Sequence, residues 1–168
     1  MAYEAIAATT LSSTTSSITF STIPTTYEHL QIRFYALNSG ATTGVYVRLR
    51  INGDTATNYV QQFTYGNGGT AFSNASTGLS FFEVGFIPGT TAANMAGVSI
   101  IDFVDYLNTN KYKTSRSIFG QDRNGAGACF FANGLWLSTA AINQIEIYPE
   151  TNSFAAGTVA ALYGLKSA

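Results

Sequence analysis

A rule of alternation runs through this chain and limits what it can become. In Val45-Tyr46-Val47-Arg48-Leu49-Arg50-Ile51 every odd position is apolar, and Arg48 and Arg50 occupy even ones. Successive side chains of a strand point to opposite faces, so Val45, Val47, Leu49 and Ile51 line a core while the arginines face outward. His29-Leu30-Gln31-Ile32-Arg33-Phe34 repeats the pattern, and so does Asn143-Gln144-Ile145-Glu146-Ile147-Tyr148. No stretch shows helical spacing with good caps. The chain is expected to form a two-sided sheet in which few residues are free for chemistry.

Read along its length, the sequence predicts eleven strands, over Tyr3–Ala8, Ser17–Thr22, His29–Ala36, Val45–Ile51, Asn58–Tyr65, Leu79–Ile87, Gly97–Asp105, Lys111–Gly120, Gly127–Leu137, Asn143–Tyr148 and Thr158–Lys166. Short strands at this spacing point to an antiparallel sandwich or barrel. Asn52-Gly53-Asp54 supplies turn residues that tolerate positive φ. Pro24 and Pro88 cannot donate to a ladder and mark strand ends. Gly66–Gly78, with almost no periodic apolar content, reads as a long loop. A short helical turn is conceivable near Thr91–Ala96.

A chain of 168 residues is one domain, residues 1–168, large enough to bury a core without staples. Only 10% of it is charged, against roughly 25% in an average soluble protein. The surface must then be built from uncharged polar groups, which 22 Thr and 15 Ser supply. Little repulsion between copies favours assembly. The net charge of −1 gives no basic excess for nucleic acid. The N-terminus has neither a basic region nor a long apolar run, so no signal peptide is expected. Nothing approaches the roughly 18 apolar residues of a membrane span.

Residues suited to catalysis are sparse. Cys129 is the one cysteine and stands in Ala128-Cys129-Phe130-Phe131, an apolar setting that favours a packed thiol over a nucleophile. His29 is the one histidine, which removes any His-pair metal site, and it falls on the face opposite Leu30, Ile32 and Phe34. Asp102 and Asp105 are three apart on one strand and point to opposite faces, so they do not converge as glycosidase carboxylates must. Asp102 shares its face with Val98, Ile100 and Val104 and reads as a hydrogen-bonding group. Asn52, Asp54 and Asn58 make a poor calcium site. No catalytic residue, metal or cofactor is assigned, and no enzymatic activity is expected.

The aromatic residues, 12 Phe, 10 Tyr and 1 Trp, leave binding open. Exposed tyrosines and Trp136 would suit stacking on sugars, the mark of a carbohydrate-binding module. Arg33, Tyr35, Tyr46, Arg48 and Arg50 fall on the outer faces of two strands that look adjacent. Tyr and Arg are enriched in interfaces because they bury area and keep a polar tip. These five are the candidate partner-binding stripe, with an ordinary solvated face as the alternative.

Several stretches resemble small structural proteins of tailed bacteriophages. They are Tyr3-Glu4-Ala5-Ile6-Ala7; Ser17-Ile18-Thr19-Phe20-Ser21-Thr22-Ile23-Pro24 followed by Tyr27 and Leu30; and Arg50-Ile51-Asn52-Gly53-Asp54-Thr55 with Asn58-Tyr59. The second half is similar in Gly134-Leu135-Trp136-Leu137-Ser138-Thr139-Ala140-Ala141-Ile142 and in Asn152 to Thr158 leading to Leu162-Tyr163-Gly164-Leu165-Lys166. The resemblance implies an all-β, antiparallel, jelly-roll-like β-sandwich of about ten short strands in a virion, made in the host bacterial cytoplasm. It implies a capsid decoration (cement) protein or a tail or tail-fibre component. The partners expected are other copies of the chain, as dimer or trimer, and the major capsid protein or a neighbouring virion protein, with no nucleic acid and no membrane.

Overall fold

The computed structural model describes residues 2–92 and 94–166. Twelve strands follow one another: β1 (Ala2–Thr10), β2 (Ile18–Phe20), β3 (His29–Ala36), β4 (Val45–Ile51), β5 (Tyr59–Gly66), β6 (Ala71–Leu79), β7 (Phe82–Ile87), β8 (Gly97–Val104), β9 (Lys113–Asp122), β10 (Gly127–Trp136), β11 (Ile145–Pro149) and β12 (Val159–Lys166). They form an eight-stranded sheet in the order β1-β12-β3-β8-β9-β10-β5-β6 and a four-stranded sheet in the order β2-β11-β4-β7. Every named pairing is antiparallel. The molecule is an all-β, jelly-roll-like sandwich, where alternation alone left sandwich and barrel open.

Alternation also places the core. On β4, Val45, Val47, Leu49 and Ile51 are buried and the residues between them are half-buried. Leu30, Ile32 and Phe34 of β3 and Ile101 and Phe103 of β8 come from the opposite sheet to meet them. Each fully buried side chain of this kind contributes roughly 1.5–3 kcal/mol. At the turn after β4, Asn52 and Gly53 both take positive φ, 53° and 69°.

Where the large sheet overhangs the small one, a second cluster forms. Its centre is a row of rings across four neighbouring strands, Phe119, Phe130, Tyr65 and Phe72, which are register partners. Successive centroids lie 4.7, 4.7 and 4.8 Å apart with near-parallel planes. The spacing is that of adjacent strands.

Three expectations need correction. Gly66–Gly78 is not a long loop: β6 occupies Ala71–Leu79 and pairs with β5, leaving a tight turn at residues 67–70. The segment lacks an apolar pattern because β6 is an edge strand with most of its residues exposed. No helical turn forms among the described residues of 91–96, while Ala93 lies outside them. Cys129 is exposed, because Phe130 takes the inward position of β10 and turns its neighbours outward.

Candidate functional site

Among the described residues no layer covers the outer face of the eight-stranded sheet, and the residues of that face form rows set by register. One row runs Val98, Gly120, Cys129, Gly66 across β8, β9, β10 and β5. The next runs Ile100, Ile118, Phe131, Thr64. Val98 and Ile118 are 57% and 59% exposed, and Ile100 and Phe131 are 43% exposed. Aliphatic and aromatic groups thus sit in water on the central strands, where an uncovered sheet ordinarily carries polar residues. Between them lies a depression of about 580 Å³, with Val98, Ile100, Ile118, Gly120, Cys129 and Gly66 among its lining residues.

A polar row borders this patch. Arg33 Nε donates to Gln31 Oε1 at 2.7 Å, and Gln31 Nε2 donates to Asp102 Oδ1 at 2.7 Å. Arg116 Nη2 donates to the other oxygen of Asp102 at 3.1 Å. The Arg33 guanidinium also stands 5.7 Å from the ring centre of Tyr3 and 5.6 Å from that of Tyr163. Asp102 is therefore a hydrogen-bonding hub, as its place among aliphatic neighbours suggested. Both of its oxygens are engaged.

The five residues of the expected stripe do not come together. Arg33 and Tyr35 lie on β3 in the eight-stranded sheet, whereas Tyr46, Arg48 and Arg50 lie on β4 in the other sheet. Similar outward patterns say nothing about which strands are neighbours, and these two are not. Arg48 is spent within the chain: Nη2 meets Glu150 Oε1 at 2.6 Å, and the guanidinium lies 4.0 Å from the centre of the Phe81 ring. Arg50 stacks on Tyr148 at 4.7 Å and donates to the Ser80 carbonyl. Tyr46 packs against Phe86 and Phe130, and burial, then the nearby Glu83 charge, pushes its hydroxyl pKa up to about 12.

Trp136 is unsuited to sugar stacking: it is 3% exposed and its Nε1–H donates to Asp54 Oδ2 at 2.7 Å. Asn58 Nδ2 and the Ala56 N–H also donate to Asp54, so this carboxylate is taken up by the fold. His29 Nδ1 accepts from the Asp105 N–H at 3.1 Å. Among the described residues, no group of three or more His, Cys, Asp or Glu could hold a metal ion. No helix there is long and apolar enough to cross a membrane.

Sequence reasoning missed the apolar patch. A signal existed in Val98-Ser99-Ile100-Ile101-Asp102-Phe103-Val104, which is apolar at both parities and so marks a strand with two apolar faces. On β9 the polarity is inverted, with Ser115 and Ser117 buried and Ile118 outside. Close packing of β7 explains this, since a Cβ on the neighbouring Gly134 would meet the Phe82 ring at 2.6 Å and Ser115 Oγ at 2.6 Å. Only small side chains fit there.

No family model matches this chain, and no curated protein matches it by sequence. Among solved structures, it is similar to an exo-inulinase from Aspergillus awamori, with 10% identity and a TM-score of 0.48 over 97% of this chain and 29% of that one. It is also similar to a galectin from Caenorhabditis elegans, with 11% identity and a TM-score of 0.36 over 95% of this chain and 96% of that one. The chain thus spans less than a third of the exo-inulinase it matches. These likenesses concern the jelly-roll sandwich and extend to no ligand or reaction.

Proposed function

We propose that this chain is a bacteriophage virion structural protein, a decoration protein attached to the head in many copies. The observation that carries the reading is the uncovered apolar row of Val98, Ile100, Ile118 and Phe131 on the central strands of the large sheet. Exposed patches of this kind mark surfaces that meet other protein. The low charge content supports assembly, and the resemblance of both halves of the sequence to small phage structural proteins supports the setting. Many copies, each making a modest contact, hold a shell by avidity. Mass analysis of purified virions from a phage encoding the chain tests this. A copy number comparable with that of the major capsid protein is expected. A few copies per particle would move the protein to the tail, and absence from particles would overturn the reading. Binding on a glycan array together with that absence would favour a carbohydrate-binding module instead.

A further inference from the structure

We propose that the uncovered sheet face is a two-fold interface between two copies of this chain, with the axis crossing β9 between Ile118 and Gly120. The inference rests on the reading of the chain as an assembling protein and names its first partner as a second copy of itself. The outward residues of β9 run Arg116, Ile118, Gly120, Asp122. A two-fold axis lying between the two sheets, perpendicular to the strands and level with Phe119, turns one outer face onto the other and reverses that order. Ile118 of one copy then faces Gly120 of the other, and Arg116 faces Asp122.

Both relations are complementary. Ile118, at 59%, is the most exposed of the large apolar side chains among the described residues, and Gly120 is buried at the floor of the depression beside it. Projection and recess lie side by side on one strand, so two copies fill each other's recess. Glycine is required at 120 by the backbone itself, because a Cβ there would lie 2.3 Å from the Ala128 carbonyl oxygen.

The charges fit the same axis. A rise of roughly 3.3 Å per residue puts Arg116 and Asp122 each about 10 Å from it, on opposite sides. Sheets packed face to face lie about 10 Å apart with strands inclined by about 30°, an offset of roughly 5 Å at that radius, within reach of an arginine. Asp102 engages one Nη of Arg116, whose side chain is 61% exposed and has donors to spare. The flanking strands agree. The axis lays β8 over β8 and β10 over β10 of the second copy, so Val98 meets Ile100 and Cys129 meets Phe131, with no like charges opposed.

The same geometry sets two copies of Cys129 roughly 12 Å apart across the axis. As the one cysteine of the chain, it serves as a probe without engineering. The experiment combines analytical ultracentrifugation with cross-linking of the native protein by a bismaleimide of that span. A dimer and a covalent Cys129–Cys129 product are expected. Ile118→Asp is expected to raise the dissociation constant about 100-fold and abolish the cross-link, with the melting temperature unchanged. Arg116→Asp and Asp122→Arg are each expected to weaken the dimer about tenfold, and the two together to recover most of it. Asp122 accepts from the Gly125 N–H, so the melt is followed in those variants too. Should Ile118→Asp fail to fold, the charge reversal and its rescue decide the matter. A native protein that stays monomeric at high micromolar concentration, or a dimer indifferent to all three changes, would overturn the interface. A monomer present at high copy number in virions would sink this interface and leave the decoration reading standing. A confirmed dimer absent from virions would do the reverse.

Discussion

The side-chain amide of Gln61 pairs with the backbone of Glu83 as if it were a residue of a missing strand. Its Nε2 donates to the Glu83 carbonyl at 2.6 Å, and its Oε1 accepts the Glu83 N–H at 2.8 Å. Glu83 lies on β7, an edge of the four-stranded sheet, and Gln61 reaches it from β5 of the other sheet. One buried side chain thereby satisfies an open edge and ties the two sheets together. Gln61→Leu keeps the volume and strands both backbone groups. It is expected to cost about 2–4 kcal/mol, measured by urea unfolding.

Asp54 predicts the behaviour in acid. Burial works against its carboxylate, but donation from Asn58, Trp136 and the Ala56 N–H outweighs burial and holds its pKa below the ordinary value. A carboxyl with a folded-state pKa below its unfolded value stabilises the fold above the unfolded pKa of about 3.9 and loses that contribution as pH falls through the folded one. Asp54→Asn is expected to lower stability at pH 7 and to flatten the loss below about pH 4. Urea midpoints collected from pH 7 down to pH 2 check both effects.

Lys113 is buried, and its ammonium donates to three backbone carbonyls, those of Asn108 at 2.5 Å, Lys111 at 3.1 Å and Thr139 at 3.0 Å. It ties the turn before β9 to the loop after β10. Lys113→Met leaves three carbonyls without this donor and is expected to cost about 3 kcal/mol or more. Hydrogen exchange would show the loss first at residues 105–112 and 137–141.

Arg48 and Arg50 are expected to act on stability and not on assembly. Arg48 lies over the Phe81 ring just before β7 and Arg50 over the Tyr148 ring of β11, and Arg48 also pairs with Glu150. Changing both to Ser is expected to cost about 1–2 kcal/mol. Oligomer size, read by light scattering, is expected to stay that of the native protein. A smaller oligomer would return these residues to the interface.

The sequence revealed most of the fold because alternation reports burial directly. Val45 to Ile51, His29 to Phe34 and Ile145 to Tyr148 lie on strands whose inward positions are those expected. β6 stayed hidden because an edge strand exposes both faces and keeps no apolar rhythm. The candidate site was less legible. Period-two patterns fix which way a side chain points but not which strand lies beside it, so β3 and β4 could not be assigned to different sheets. Ile118 was invisible for another reason. The inward positions of β9 hold serines to clear β7, and the sequence alone reads serine as the solvent face.

The pairing of β1 with β12, and of β2 with β11, has a consequence for how the chain matures. The first two strands of the sandwich wait for its last two. During synthesis β1 and β2 have no native neighbour in their sheets until β12 and β11 have left the ribosome. Neither sheet can be completed from its beginning. Long-range closure of this kind makes folding slow, and unpaired strand edges remain open to the wrong partner in the interval. Yield in the cell will then follow translation speed and temperature more closely than it follows the stability of the finished sandwich.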